Sequence, residues 1–263
     1  TTALFSDGDG TVTLFESADL SDGQPATDVV TLADAHHGVA VALGDGTLVV
    51  TEGDDDTRES VIALRDGAET ARTDECPRVH GEGAAANDRL VFGCAGGVVV
   101  YAEGAFTRID APDAEASIGT VKGSDASPIV VTNYTVEGDD APRLALVDTV
   151  AMTMRVIDAP AAYASSGITM TDAGTALVLG TDGVLSEIEV ETGAVVSSIP
   201  VVDAWTIPES YTEPRPTLAS ADGVVWVADP AAEEVHAIDL ESGSVSVTAE
   251  LPEAPRQLVV VRG

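Results

Sequence analysis

Apolar residues along this chain recur in short runs rather than at helical spacing. Val, Ile, Leu and Thr continue for a few residues and are then cut by a polar pair. Asp9-Gly10, Asp45-Gly46, Asp66-Gly67, Asp182-Gly183 and Asp222-Gly223 are such pairs, and Asn87-Asp88 and Gly96-Gly97 serve the same purpose. These pairs accept the positive φ angles that tight hairpins demand, so the pattern predicts short antiparallel strands. No stretch reads as a convincing amphipathic helix.

The runs also repeat over a longer distance. First-strand signals begin at Gly38, Gly81, Gly119, Gly167, Thr217 and Gln257. Their spacing of roughly 40 to 50 residues is that of a four-stranded propeller blade. The clearest internal match sets Ile188-Glu189-Val190-Glu191-Thr192-Gly193-Ala194-Val195 against Ile238-Asp239-Leu240-Glu241-Ser242-Gly243-Ser244-Val245. Both read as third strand, turn and fourth strand. At the ends, Ala3–Phe5, Thr11–Phe15 and Val29–Leu32 supply three strands without a first, and residues 257–262 supply a lone first strand. The expectation is one all-β domain over residues 1–263, a β-propeller of about six blades whose ends share a blade and leave no open edge. A two-sheet sandwich would explain neither the period nor the shared blade.

Composition narrows the partners. The 263 residues carry 45 acidic and 12 basic side chains, a formal net charge of -33, and Lys122 is the one lysine. A nucleic-acid binder needs a cationic footprint, and an anionic membrane surface would repel this chain. No apolar run approaches the roughly 18 residues of a membrane helix. With 44% hydrophobic residues the chain has ample apolar material for a core. The charge suits solubility or life at high salt, and it also concentrates cations.

Two residue types carry candidate chemistry. Cys76 and Cys94 lie 18 positions apart and outside any CxxC or CxxH unit. They suit a single disulfide and hence an oxidising compartment, the alternative being two separate buried thiols. Four histidines are present: His36, His37, His80 and His236. His37-Gly38 and His80-Gly81 both stand just before a first strand, 43 residues apart. Equivalent positions in neighbouring blades lie side by side, and neutral imidazoles converging in a negative field suit Zn²⁺. Zinc takes four ligands, or three and a water, so His36, Glu82 or a carboxylate from another blade would have to join. The alternative is that each His-Gly pair is a turn or capping device. His236, inside Glu234-Val235-His236-Ala237-Ile238, reads as a packed strand residue.

At these positions the chain resembles the AztD-type periplasmic zinc metallochaperones. The resemblance is carried by Ala35-His36-His37-Gly38-Val39-Ala40-Val41, Cys76-Pro77-Arg78-Val79-His80-Gly81-Glu82 and Phe92-Gly93-Cys94-Ala95-Gly96-Gly97-Val98. Weaker similarity lies in Thr132-Asn133-Tyr134, Trp205, Pro214-Arg215-Pro216 and Val227-Ala228-Asp229-Pro230. It implies a periplasmic or otherwise exported, monomeric, non-enzymatic propeller that binds Zn²⁺ and passes it to the solute-binding protein of a zinc ABC importer. It implies metal ligands at His36, His37 and His80, and supports a Cys76–Cys94 disulfide. Members of that family carry about two further blades upstream, so this chain reads either as a six-bladed relative or as part of a seven- or eight-bladed ring. Where relatives often have a histidine, this chain has Ser165-Ser166-Gly167.

Two other classes compete. A metal-dependent lactonase or hydrolase would need an acid/base residue beside the metal, and no GxSxG motif or catalytic cysteine arrangement occurs. A plain interaction propeller would leave the histidines incidental and the purified protein free of zinc.

Overall fold

The computed structural model describes residues 1–54 and 57–260. The apolar runs form strands and the polar pairs form the turns between them. Asp66 and Gly67 have φ of 50° and 75°, Asn87 and Asp88 of 63° and 55°, and Asp222 and Gly223 of 53° and 76°. Positive φ at both central residues matches the right-handed twist of the flanking strands, and this is why Asn, Asp and Gly occupy these places.

Among the described residues the strands assemble into six sheets, five of them antiparallel meanders of neighbours along the chain. The chain divides into two compact units, residues 1–83 with 88–121, and residues 84–87 with 122–263.

The first unit begins with a three-stranded sheet, β1 (Thr2–Ser6), β2 (Thr11–Phe15) and β3 (Asp28–Thr31). A 3-10 turn over Ser17–Asp22 separates the last two. The next sheet runs β4 (Ala40–Ala42), β5 (Leu48–Gly53), β6 (Arg58–Arg65) and β7 (Ala68–Thr73). The third runs β8 (Glu82–Ala85), β9 (Arg89–Cys94), β10 (Gly97–Ala102) and β11 (Ala105–Asp110). Val49, Val61, Leu90, Phe92, Val99 and the two cysteines pack into one core between the second and third sheets. Val12, Leu48, Val50 and Ile62 form another with Phe5 against it. Burying a side chain such as Phe92 contributes about 1.5–3 kcal/mol.

In the second unit, strands Ile129–Val136, Asp139–Asp148 and Thr153–Asp158 pair antiparallel. A four-stranded sheet follows over Tyr163–Met170, Ala176–Gly180, Val184–Glu189 and Ala194–Pro200. Another covers Thr217–Ala221, Val224–Asp229, Glu234–Asp239 and Ser244–Glu250. The internal repeat is structural as well as sequential. In both sheets the register shifts by one, at Glu187/Ile188 and at Ala237/Ile238. The turns that follow close identically, Gly193 N–H on Glu189 O at 2.7 Å and Gly243 N–H on Asp239 O at 3.0 Å.

The all-β class and the blade-like meanders agree with the sequence pattern. At the C-terminal end, residues 257–260 carry no strand, and the rest of the strand expected over 257–262 lies outside the described residues. No helix among the described residues is long and apolar enough to cross a membrane.

Candidate functional site

His80 owes its position to a bulge. Gly93 in β9 faces two residues at once: its carbonyl accepts His80 N–H at 3.0 Å, and its own N–H donates to Gly81 O at 3.1 Å. Two residues opposite one re-aim the side chain at the bulge. Gly81 takes φ +72° there, and a Cβ on it would lie 2.2 Å from Gly119 O. That carbonyl is the group His80 uses, with Nδ1 donating to Gly119 O at 2.9 Å. Cys76 and Cys94 form a disulfide, with Cα atoms 5.0 Å apart. It ties the strand end after Gly93 to the segment leading into His80, and both cysteines are buried.

His37 stands at the entry to β4. Gly38 after it is required by packing, since a Cβ there would meet the Phe5 ring at 2.5 Å and Thr51 Oγ1 at 2.6 Å. His37 Nδ1 donates to Asp7 Oδ2 at 2.6 Å, and Asp7 Oδ1 also accepts Gly38 N–H at 3.3 Å. Asp7 lies in the turn between β1 and β2. Its hydrogen bond from His37, above all, holds its carboxyl below the usual aspartate range, aided by Gly38 N–H and opposed by partial burial. Asp7 is therefore an ionised acceptor.

The two rings meet at Nε2. His37 Nε2 and His80 Nε2 are 3.3 Å apart, with ring centroids 5.1 Å apart and planes tilted by 46°. Each Nδ1 faces an oxygen that can only accept, a carboxylate in one case and a backbone carbonyl in the other. Each Nδ1 therefore carries the hydrogen, and in the neutral rings each Nε2 is a bare lone pair. Two lone pairs at this distance repel unless a cation lies between them. Two nitrogens bound at about 2.0–2.1 Å to a tetrahedral zinc ion lie about 3.3 Å apart. The pair is also open: the His37 side chain is 56% exposed.

His36 goes elsewhere. It is 1% exposed, with Nδ1 on Asp34 O at 3.1 Å, Nε2 on Thr51 Oγ1 at 3.2 Å, and the Phe5 ring edge-on at 5.0 Å. Both of its nitrogens are occupied and it packs a core. The structure thus brings His37 and His80 together and sets His36 apart. Among the described residues, no group of three or more His, Cys, Asp or Glu is arranged to hold a metal ion, so Glu82 adds no third ligand. His236 is the packed strand residue expected, with Nδ1 against Thr248 Oγ1 at 3.3 Å. Asp7 was not anticipated individually. The available signal was Asp7-Gly8-Asp9-Gly10, a turn with one aspartate more than it needs, because Asp9 alone accepts Thr11 N–H at 3.2 Å. Two further cavities, of about 480 and 520 Å³, lie in the second unit and have no histidine in their linings.

No family model matches the sequence. The zinc chaperone AztD of Citrobacter koseri is 26% identical over 99% of this chain, which spans 63% of that protein's length. A crystal structure of Citrobacter koseri AztD superposes with a TM-score of 0.79 at 23% identity, covering 97% of this chain and 69% of that one. Its apo form gives 0.78 at 23% identity, covering 97% and 71%. The WD40 β-propeller domain of Doa1 gives 0.57 at 15% identity, covering 96% and 79%. The chain has the β-propeller fold, and it is similar in sequence along nearly its whole length to the zinc chaperone AztD of Citrobacter koseri.

Proposed function

We propose that this chain is an exported, non-enzymatic zinc-binding metallochaperone, holding Zn²⁺ as cargo between His37 and His80 and passing it to the solute-binding protein of a zinc ABC importer. The observation that carries the reading is the pair of Nε2 atoms 3.3 Å apart, each with its Nδ1 tied to an acceptor. Two protein nitrogens leave about two of zinc's four positions to water or to groups on a receiving protein. An exposed half-site of this kind lets incoming ligands replace the chaperone's one at a time. The similarity to a zinc chaperone supports the cargo. The buried Cys76–Cys94 disulfide supports export, because such bonds persist in oxidising compartments. His36 belongs to this proposal as a support under the His37 segment rather than as a ligand.

Protons and zinc compete for the same lone pairs, so zinc affinity should fall as acidification protonates the imidazoles. Calorimetric titration tests the site. The wild type should bind one zinc per chain, and a His37→Ala/His80→Ala variant should lose that binding while keeping its circular dichroism spectrum. Unchanged affinity in the double variant would end the assignment. Transfer is tested by mixing the zinc-loaded chain with a metal-free solute-binding protein of this importer class and measuring zinc in each after separation.

A further inference from the structure

We propose that Asp7 is a positioning residue that keeps the His37–His80 pair open for a metal by forbidding a hydrogen bond between the two rings while both are neutral. The proposal rests on the zinc reading above and concerns how the site is held ready. A neutral histidine pair at 3.3 Å has an obvious way to satisfy itself. One ring places its hydrogen on Nε2 and donates it to the Nε2 lone pair of the other. That arrangement closes the site, because both lone pairs are then used up or covered.

His80 cannot be the donor, since its Nδ1 faces the Gly119 carbonyl at 2.9 Å and must keep its hydrogen there. His37 could be, but only by turning a bare Nδ1 lone pair toward Asp7 Oδ2 at 2.6 Å. A carboxylate oxygen and an imidazole lone pair at that distance repel strongly, so Asp7 fixes the Nδ1–H form of His37. Asp7 is itself held by a second donor, Gly38 N–H on Oδ1 at 3.3 Å. Both of its oxygens accept from N–H groups, one of them on His37 itself. This is the carboxylate–histidine–metal arrangement by which an outer carboxylate fixes ring orientation and tautomer.

Asparagine at this position makes the strongest test. Gly38 N–H is always a donor and would claim the amide oxygen of Asp7→Asn. The amide NH₂ would then donate to His37 Nδ1, forcing the hydrogen onto Nε2 and into a bond with His80. Asp7→Ala removes the acceptor without supplying a donor, leaving the tautomer to water. Zinc affinity should therefore rank wild type above D7A and D7A above D7N, with D7N weaker than wild type by about ten- to a hundredfold.

The experiment pairs zinc titration with ¹⁵N-edited NMR of the histidine rings in metal-free protein at alkaline pH. Expected are bare Nε2 atoms on both His37 and His80 in the wild type, and a protonated Nε2 on His37 in D7N. Three results would overturn the proposal: a protonated His37 Nε2 in the wild type, an unaltered tautomer in D7N, or D7N binding zinc at least as well as D7A. The last is the ranking of a direct ligand, since an amide oxygen can still coordinate. If the tautomers are as expected but the wild type binds no zinc, the zinc reading fails and takes the metal half of this proposal with it. The orienting contact then stands by itself.

Discussion

His36 and His37 are adjacent in sequence yet have opposite surroundings. The two lie outside any strand, with a bend at His37, and only one of them faces His80. Phe5 and Thr51 decide which, by claiming His36 for the core. The recurrence of His-Gly 43 residues apart makes His37 and His80 legible in the sequence. Neither the sorting of His36 from His37 nor the choice of Asp7 among 45 acidic residues was legible, because both depend on side chains brought in from another sheet. A residue-scale prediction outside the site concerns Tyr163. Burial pushes its phenol up to about 12, while its hydroxyl donates to Arg143 O. Because the folded state holds that proton more tightly than an ordinary phenol, the contribution is complete below the usual tyrosine range near 10 and is lost as pH rises through about 12. Ultraviolet titration should show a phenolate step near pH 12 that Tyr163→Phe removes. Loss instead of a step near pH 10 would contradict the burial argument.

At the scale of elements, the hairpin turns and the internal repeat were readable from Asp-Gly pairs and short apolar runs, because those signals are local. The bulge at His80–Gly81 was not, since it needs Gly93 on the neighbouring strand and Gly119 behind it. Gly81→Ala tests it directly. At φ +72°, with Gly119 O 2.2 Å from the added Cβ, the substitution should destabilise the fold by more than about 1 kcal/mol. It should also weaken zinc binding, because the carbonyl it displaces is the one that fixes His80. Melting temperature and zinc affinity both unchanged would contradict this account of the bulge. The disulfide closes a loop across a separation of 18 residues. Cys76→Ser/Cys94→Ser should cost about 3 kcal/mol, read as a lower denaturant midpoint than that of the oxidised wild type. Coincident midpoints would show that the buried contacts around Val79 and Phe92 alone suffice.

For the whole molecule, the net charge of -33 divides between local structure and a general field. Many aspartates close turns. Asp45 Oδ1 accepts Thr47 N–H at 2.9 Å, Asp148 Oδ1 accepts Val150 and Ala151 N–H at 2.9 and 2.8 Å, and Asp239 Oδ1 accepts Glu241 and Ser242 N–H at 2.9 and 3.0 Å. Side chains of this kind are chosen for their acceptor oxygen, and the charge accumulates as a consequence. The accumulated field repels itself and is screened by salt. Stability should therefore rise with sodium chloride from low ionic strength to about 1 M, and a melting temperature that falls with salt would contradict this. The field draws cations toward the protein in general, whereas the zinc capture proposed above rests on two neutral nitrogens. The most direct test of that claim is anomalous diffraction at the zinc edge from crystals of the zinc-loaded chain. The account predicts one strong peak about 2.0–2.1 Å from both His37 Nε2 and His80 Nε2. A peak on a carboxylate cluster elsewhere, or none between these two rings, would contradict it.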